Sequence, residues 1–327
     1  MSAQPAHPRR RLCLGGAVAS LLALAGCRGG VRGPLRLGCH PWPGYELFFL
    51  ARDEGHGPMD AVHLVDMPSA SASLRGLSTQ SLDAAGLTLD EVLSARARGM
   101  DLRVVGVLDV SMGADVVLAR PGLGSVAVLA GRRVGVESSA VGAVMLDAML
   151  SLHGMRVGDV QVVSLAVDQH EAAWREGHVD ALVTYDPVSG RLQAEGAVAL
   201  FSSAEVPGRI VDVLAVRGDV LGERAAQVRA ALSAHFATLA VLRQAPQRLL
   251  PAMAARLGVS PAELAASLTR LELPGVAENQ AWLRPGGRLQ DTAGRLGQVM
   301  VRAGLLPGAP VLDGLGSGEY LPDEVAA

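Results

Sequence analysis

The pattern of apolar and polar positions between Arg132 and Gly154 predicts a strand that runs directly into a helix. Val134 to Val136 is a short buried-strand pattern, and Ser138 and Ser139 are residue types that favour the start of a helix. Apolar residues then recur at helical spacing as far as Leu152. Such a helix start presents free backbone N–H groups, a positive dipole end and hydroxyls, which suit an acidic or polar small molecule.

A second stretch, beginning at Leu35, has the same order of elements: a strand, a loop, and an apolar helix that ends at a glycine. Gly38 lies 45 residues before Asp83, and Gly135 lies 45 residues before Asp180, so the two copies are offset by 97 residues. Between these landmarks each copy holds one further strand and a helical stretch. The sequence therefore predicts two β-α-β-α-β lobes.

Two similar apolar strings flank the second copy, Val116–Arg120 before it and Val213–Arg217 after it. Similar strands on both sides of an inserted lobe are the pattern expected of a two-strand hinge, about which two lobes close on a ligand. We therefore predict lobe I at 35–118 and 214–327, lobe II at 119–213, and a cleft between them. The mostly helical C-terminal part is expected to cover lobe I.

The segment 1–26 has the pattern of an export signal. Three arginines precede an apolar run, Leu12 to Ala25, that is too short to span a bilayer, and Leu-Ala-Gly-Cys ends it at Cys27. This resembles the bacterial lipoprotein signal, which implies that Cys27 is lipidated and becomes the mature N-terminus, with 27–34 as a tether. An ordinary secretory signal is the alternative, and the resemblance to a twin-arginine signal is incomplete.

The composition excludes several kinds of partner and site. The formal charge of −3 becomes −6 without the three arginines of the signal, so no nucleic-acid partner is expected. Every basic residue is Arg, which excludes a P-loop lysine and a Schiff-base lysine. Cys39 is the one thiol left after Cys13 and Cys27, so we expect no internal disulfide. We predict no cofactor and no metal site, because Cys39-His40 has no further ligand at a suitable spacing.

Open α/β sheets bind ligands beyond the carboxyl ends of their strands. His170, near one such end, is expected to be a solvated residue in the first turn of a helix. The segments at those ends combine helix starts and hydroxyls, which favour an anion, with carboxylates, which favour a cation: Glu46, Asp109, Asp115, Glu137 and Asp186. A zwitterion, or a neutral polar molecule with a donor, satisfies both.

Catalytic motifs are missing from the sequence. It contains no G-x-S-x-G, H-E-x-x-H, G-x-G-x-x-G or C-x-x-C pattern. Scattered Ser, His and Asp residues occur, as they do in any chain of this length. The missing motifs therefore favour a binding protein over an enzyme.

An ordered set of motifs between Leu35 and Arg217 resembles the nitrate, sulfonate and taurine substrate-binding branch of ABC importers, which also includes thiamine-precursor binders. The set comprises L-R-L-G, P-W-P-G-Y-E, L-A-R-D-E-G, L-D-A-A-G-L-T-L-D-E, M-G-A-D-V-V-L-A-R-P, G-R-R-V-G-V-E and G-H-V-D-A-L-V-T-Y-D-P. The resemblance implies an α/β, two-lobed type II periplasmic-binding-protein fold with a solute held between the lobes. By position, its cleft residues fall on Trp42, Tyr45, Glu46, Ser69, Thr88, Asp115, Ser138, Ser139, Tyr185 and Asp186.

The resemblance further implies an exported, lipid-anchored protein that is not an enzyme and that faces the periplasm or the cell exterior. Its partners would be a small polar organic or anionic solute, sulfonate-, taurine- or nitrate-like, and an ABC permease with its ATPase. The chain has Cys39-His40 before the Pro-Trp pair, and Tyr185-Asp186-Pro187 where many relatives resemble Trp-Glu-Pro, which leaves the identity of the ligand open. Two alternatives remain: an enzyme on the same fold, similar to menaquinone-pathway enzymes, and a solute-sensing lipoprotein.

Overall fold

The computed structural model describes residues 1–2, 33–137 and 141–323. The chain from Pro34 onward forms one unit, and the description below concerns that unit. Three residues with predicted roles lie outside the described residues: Cys27, Ser138 and Ser139. Most of the predicted signal and tether lies outside them as well.

Eleven strands occur in the described residues, and they form two separate sheets. In chain order they are β1 (Leu35–Cys39), β2 (Val62–Asp66), β3 (Ala84–Thr88), β4 (Leu102–Ser111), β5 (Asp115–Ala119), β6 (Arg133–Val136), β7 (Gln161–Ser164), β8 (Ala181–Tyr185), β9 (Val198–Ser202), β10 (Val211–Arg217) and β11 (Leu271–Glu272).

The sheet of lobe I has the order β11-β4-β10-β3-β1-β2, and the sheet of lobe II has the order β7-β6-β8-β5-β9. In lobe I, β1 is parallel to β2 and β3, and β10 runs antiparallel between β3 and β4. In lobe II, β6 is parallel to β7 and β8, and β5 runs antiparallel between β8 and β9. The two lobes therefore share one topology, as the internal repeat predicts.

The helices cover the faces of both sheets. In chain order they are α1 (Glu46–Glu54), α2 (Ala70–Ser78), α3 (Leu89–Ala97), α4 (Val141–Leu152), α5 (His170–Arg175), α6 (Val188–Ala194), α7 (Gly218–Gln244), α8 (Pro246–Leu257), α9 (Pro261–Leu268), α10 (Val276–Leu283) and α11 (Arg288–Arg302).

The C-terminal helices pack mainly on lobe I. Helix α7 lies against α1, α11 against α3, and α10 against β4. Of the described helices, α7 alone is long and apolar enough to cross a membrane, but 61% of its most apolar stretch is buried inside the protein. A mostly buried stretch of this kind is what the core helix of a globular lobe also shows.

The chain crosses between the lobes at two places, from β4 to β5 and from β9 to β10. The crossings touch each other, since Ser203 Oγ lies 2.7 Å from Ser111 Oγ and accepts a hydrogen bond from the Gly113 N–H at 2.7 Å. Gly113 turns the first crossing at φ 122°, a conformation that favours glycine.

These crossings differ from the predicted hinge. Strand β5 pairs with β8 and β9, so residues 115–118, which were assigned to lobe I, lie in the sheet of lobe II. Residues 211–213, which were assigned to lobe II, lie in β10 of the lobe I sheet. The strings Val116–Arg120 and Val213–Arg217 are thus not a pair of connectors. They are the equivalent antiparallel strands of the two sheets, and each string pairs with the third strand of its own lobe.

Candidate functional site

A small cavity lies where the two lobes meet, and residues of both lobes line it. Its volume is about 10 Å³, close to the space that one water molecule needs. We call it the cleft cavity, and its lining consists of His40, Trp42, Ala70, Thr88, Glu91, Asp115, Glu137, Val141, Tyr185 and Asp212.

The register of the sheets brings these side chains together. In lobe I, Asp212 on β10 is opposite Thr88, the last residue of β3, and on its other side it is opposite Asp109 of β4. In lobe II, Asp115 on β5 is opposite Tyr185, the last residue of β8. The carboxyl ends of the parallel strands in each lobe thus meet at the cleft cavity, where open α/β sheets bind ligands.

Two aromatic residues hold the acids of lobe I in place. The Trp42 indole N–H donates to Asp109 Oδ2 at 2.9 Å, and the Tyr45 hydroxyl donates to Asp212 Oδ1. A Cβ atom at position 44 would lie 1.8 Å from Asp109 Oδ2, so glycine is required between the two aromatics. The loop after β1 therefore positions two carboxyl groups as well as covering the core.

Contacts between the lobes close the cavity. The Tyr185 ring lies 5.4 Å from the Trp42 ring and 5.9 Å from the His40 ring, measured between ring centroids. The Ser71 hydroxyl donates to Glu137 Oε1 at 2.6 Å, and the Ser71 backbone N–H reaches the same oxygen at 3.2 Å. The lobes must separate before a solute larger than water can enter.

Of the predicted site residues that the structure describes, four line the cavity: Trp42, Thr88, Asp115 and Tyr185. Tyr45 does not line the cavity itself, but its hydroxyl donates to Asp212, which does. These positions keep the five residues in the candidate site.

Three other predicted site residues do not line the cavity. Glu46 bonds to Arg256 of α8 at 2.6 Å, and Asp186 bonds to Arg270, which precedes β11. Ser69 caps α2, accepting from the Ala72 N–H at 3.2 Å. These three side chains have structural partners, so we omit them from the candidate site.

Five lining residues were not predicted: the polar residues His40, Glu91 and Asp212, and the apolar residues Ala70 and Val141. Asp212 had a signal in the sequence, since an aspartate precedes each of the two similar strings, at 115 and at 212. Glu91 fits a helix cap, and its Oε2 does accept from the Thr88 N–H at 2.8 Å.

His170 does not lie in solvent, contrary to the prediction. Its exposed fraction is 1%, and Nδ1 lies 3.1 Å from Thr184 Oγ1. The polar neighbours of His170 in the sequence suggested a solvated helix start, but α5 turns this side chain towards β8.

Burial has the largest effect on the pKa values of the ionisable groups in and next to the lining of the cleft cavity. Desolvation raises the pKa of both Asp109 and Asp115 to about 7, and it raises the pKa of Asp212 well above the usual range. Desolvation also lowers the pKa of His40 to about 4, so that this imidazole is neutral at pH 7. Among the described lining residues, the wall therefore combines several carboxyl groups with no cationic side chain.

Several polar atoms in this wall have no hydrogen-bond partner within the described residues. They are His40 Nδ1, Thr88 Oγ1, Glu91 Oε1, Asp115 Oδ2, Glu137 Oε2 and the Tyr185 hydroxyl. A buried polar atom without a partner costs about 1–3 kcal/mol, so their clustering at one cavity favours a polar ligand there. Within residues 33–137 and 141–323, no three His, Cys, Asp or Glu side chains are grouped to hold a metal ion.

A family profile described as NMT1/THI5 like matches residues 61–249, more than half of the chain. The chain belongs to the NMT1/THI5-like family. An aliphatic sulfonates-binding protein of Escherichia coli (strain K12) is 27% identical to this NMT1/THI5-like chain over 143 residues, which are 43% of this chain. The matched part is 45% of that relative, less than half of its length.

Solved structures show the same fold. The alkanesulfonate-binding protein SsuA from Xanthomonas axonopodis pv. citri, bound to MOPS, matches with a TM-score of 0.73 at 20% identity, covering 88% of this NMT1/THI5-like chain and 99% of that one. The periplasmic nitrate-binding protein NrtA from Synechocystis PCC 6803 matches with a TM-score of 0.69 at 11% identity, covering 88% of each chain. The predicted two-lobed periplasmic-binding-protein fold is confirmed.

Proposed function

We propose that this NMT1/THI5-like protein is the solute-binding component of an ABC importer and captures a small polar organic or anionic solute between its lobes. Family membership and the two-lobed fold support the class of protein. The observation that carries the proposal is the cleft cavity, where both lobes present buried polar atoms without partners. A bound solute, or water in an opened cleft, would satisfy those atoms.

The proposed binding cycle begins with separation of the lobes. A cavity of about 10 Å³ cannot hold a solute, so the lobes open at the two crossings, 111–115 and 202–211, and close again around the ligand. Tyr185 is the side chain expected to move furthest from its contacts, because it belongs to lobe II and packs against Trp42 of lobe I.

The same proposal includes location and partners. We propose export by the N-terminal signal and lipidation at Cys27. On the outer side of the cytoplasmic membrane, the protein then delivers the solute to a permease, which works with its ATPase. Names of relatives support this assignment, since they are binding proteins, one of them called periplasmic. The protein acts by binding and release and leaves the solute chemically unchanged.

The solute-binding proposal is tested by native mass spectrometry of the full chain as purified and by thermal unfolding with added solutes. A ligand that binds only the folded state stabilises it by RT ln(1 + [L]/Kd), about 2.7 kcal/mol at 100 times Kd. We expect at least one small polar solute to raise Tm, and we expect the same solute to raise the Tm of Tyr185→Ala by less. Glu195→Gln, on the exposed surface of lobe II, is the control.

Two results would contradict parts of this proposal. A solute whose affinity is unchanged in both Tyr185→Ala and Asp115→Asn binds elsewhere, and the site assignment is then wrong. Chemical conversion of the bound solute would make the protein an enzyme. The anchor is tested separately: Cys27→Ala should move the protein from the membrane fraction to the soluble fraction.

A further inference from the structure

Buried carboxyl groups fall into two classes in this protein. Glu46, Asp83 and Asp186 each bond to an arginine. The buried carboxyl groups at or next to the cleft cavity form no ion pair with any described residue: Asp90, Glu91, Asp109, Asp115, Glu137 and Asp212. A buried carboxylate is costly unless it is paired, so desolvation raises the pKa of Asp109, Asp115 and Asp212, and no cation within the described residues pairs with their ionised forms.

Each lobe contributes one aspartate in an equivalent position. Asp115 and Asp212 are separated by 97 residues, the offset of the internal repeat, and each lies opposite the end of the third strand of its lobe. Both line the cleft cavity. The two aspartates therefore line the same space from different lobes.

A second observation at the same place points to a ligand. The Tyr185 hydroxyl is buried, with 7% of the residue exposed, and it has no partner within the described residues although it lines the cavity. Asp115 Oδ2 is also without a partner, whereas Asp212 Oδ1 accepts from Tyr45. Unpaired acceptors thus remain on both sides of the cavity, since Glu91 Oε1 of lobe I also has no partner within the described residues.

Positive charges near the cavity are already engaged or lie outside its wall. Arg270 bonds to Asp186, and Arg75 acts on Glu137 without lining the cavity. At pH 8, where Asp115 is mostly ionised, an anion without a positive group would lie against this carboxylate with no cationic side chain among the described lining residues, which disfavours its binding.

We infer that the cleft selects a small solute carrying a protonated amine or amidine group and binds that group between Asp115 and Asp212. The inference rests on the proposed solute-binding function and adds the charge of the ligand. Taurine has the required ammonium group. Ethanesulfonate and nitrate lack it.

The pH dependence of binding gives an independent readout. Asp90 and Asp186 face Asp115, while Glu91, Asp109 and Asp115 face Asp212, so the acids oppose one another's ionisation. Because the pKa of Asp115 is about 7 and a cation binds its ionised form, affinity for a cation should rise about tenfold from pH 6 to pH 8. His40 stays neutral over this range because its pKa is about 4.

The test is calorimetric titration of the full chain at pH 8 with putrescine, taurine and ethanesulfonate, alongside native mass spectrometry of any solute that co-purifies. We expect putrescine or taurine to bind at least tenfold more tightly than ethanesulfonate. Asp115→Asn should weaken that binding about tenfold or more and remove its pH dependence. Glu195→Gln removes an acid from the surface of the same lobe and should leave the binding unchanged.

Other outcomes overturn the inference. Tighter binding of ethanesulfonate or nitrate than of both amines, or a co-purified solute without a basic nitrogen, shows that solute binding is right and the charge selection is wrong. If no probe binds and no solute co-purifies, the solute-binding proposal fails as well, and the inference fails with it.

Discussion

In lobe I the Arg36 guanidinium bonds to Asp83 through two nitrogens at 3.0 and 2.6 Å, and in lobe II Arg133 bonds to Asp180 in the same way at 3.1 and 2.8 Å. In both lobes the carboxylate also accepts the backbone N–H of the same arginine, at 3.0 Å. Since the two pairs are 97 residues apart, the repeat preserves the contact that joins the first strand of each lobe to the start of the third.

At the cleft the lobes differ. The aspartate of lobe I, Asp212, accepts from Tyr45, but position 142, which is 97 residues after Tyr45, is a glycine. Asp115 of lobe II therefore has no tyrosine equivalent to Tyr45, and the hydroxyl that bonds to its side chain is that of Ser111. The repeat thus kept the residues that fasten each sheet and the two cleft aspartates, and it varied the groups that bond to those aspartates. Three sets of variants can test this division.

The largest effect is expected from removing the fastening carboxylates. Asp83→Ala should cost about 2–4 kcal/mol of unfolding free energy, because a charged acceptor is lost from three N–H donors and a buried space is left. Asp180→Ala should cost less, about 1–2 kcal/mol, because its side chain is 17% exposed and that of Asp83 only 2%. Urea unfolding measures both, and equal costs would contradict the role assigned to burial.

The same arginine–aspartate pairs predict that the folded protein loses stability at low pH. Hydrogen bonds from Arg133 lower the pKa of Asp180 to about 2, and the contacts with Arg36 hold the pKa of Asp83 below its usual value. Because both folded-state values are depressed, this stabilisation is present above about pH 4 and is lost as the pH falls towards 2. Asp180→Asn should therefore lose less stability than the wild type between pH 4 and pH 2.

An intermediate loss of stability is expected when the glycine in the first strand of each lobe is replaced by alanine. A Cβ at position 38 would lie 2.5 Å from Leu82 Cδ1, and a Cβ at position 135 would lie 2.7 Å from Leu182 Cδ1 and 3.1 Å from Val179 Cγ1. Each change to alanine should cost about 1–3 kcal/mol through overpacking. Gly135→Ala should cost more, because the β-branched Val179 can move less.

Thermal unfolding of these two variants measures the difference. Leu82→Ala added to Gly38→Ala provides the control, since it removes the clashing methyl group. If the double variant is no more stable than the sum of the two single changes implies, the clash is not the cause.

The smallest effect is expected from Tyr45→Phe, which removes the hydroxyl that bonds to Asp212 and makes lobe I resemble lobe II. The loss should be about 1 kcal/mol, the usual net value of a hydrogen bond, because the ring still packs against Gly86. The measurement is urea unfolding at pH 8, with Tyr320→Phe as a control far from the cleft. An unchanged stability would mean that the bond to Asp212 contributes nothing measurable.

The repeat of glycines and aspartates was sufficient to predict two lobes of one topology, because strand pairing and tight packing recur wherever the same residues recur. The hinge was misplaced because Val116–Arg120 and Val213–Arg217 resemble each other as equivalent sheet strands, and an apolar string does not reveal which sheet it joins. The short crossings at Gly113 and Ser203 carry little pattern, so only the structure located them.

Glu46 and Asp186 looked the same in the sequence as Asp115: acids at the carboxyl end of a strand or the start of a helix. Their partners, Arg256 and Arg270, lie 210 and 84 residues further along the chain. Spacing along the sequence contains no information about pairs so distant. The order of residues thus fixed the duplicated lobes through local periodicity, and tertiary contacts decided which buried acids pair with an arginine and which remain unpaired at the cleft.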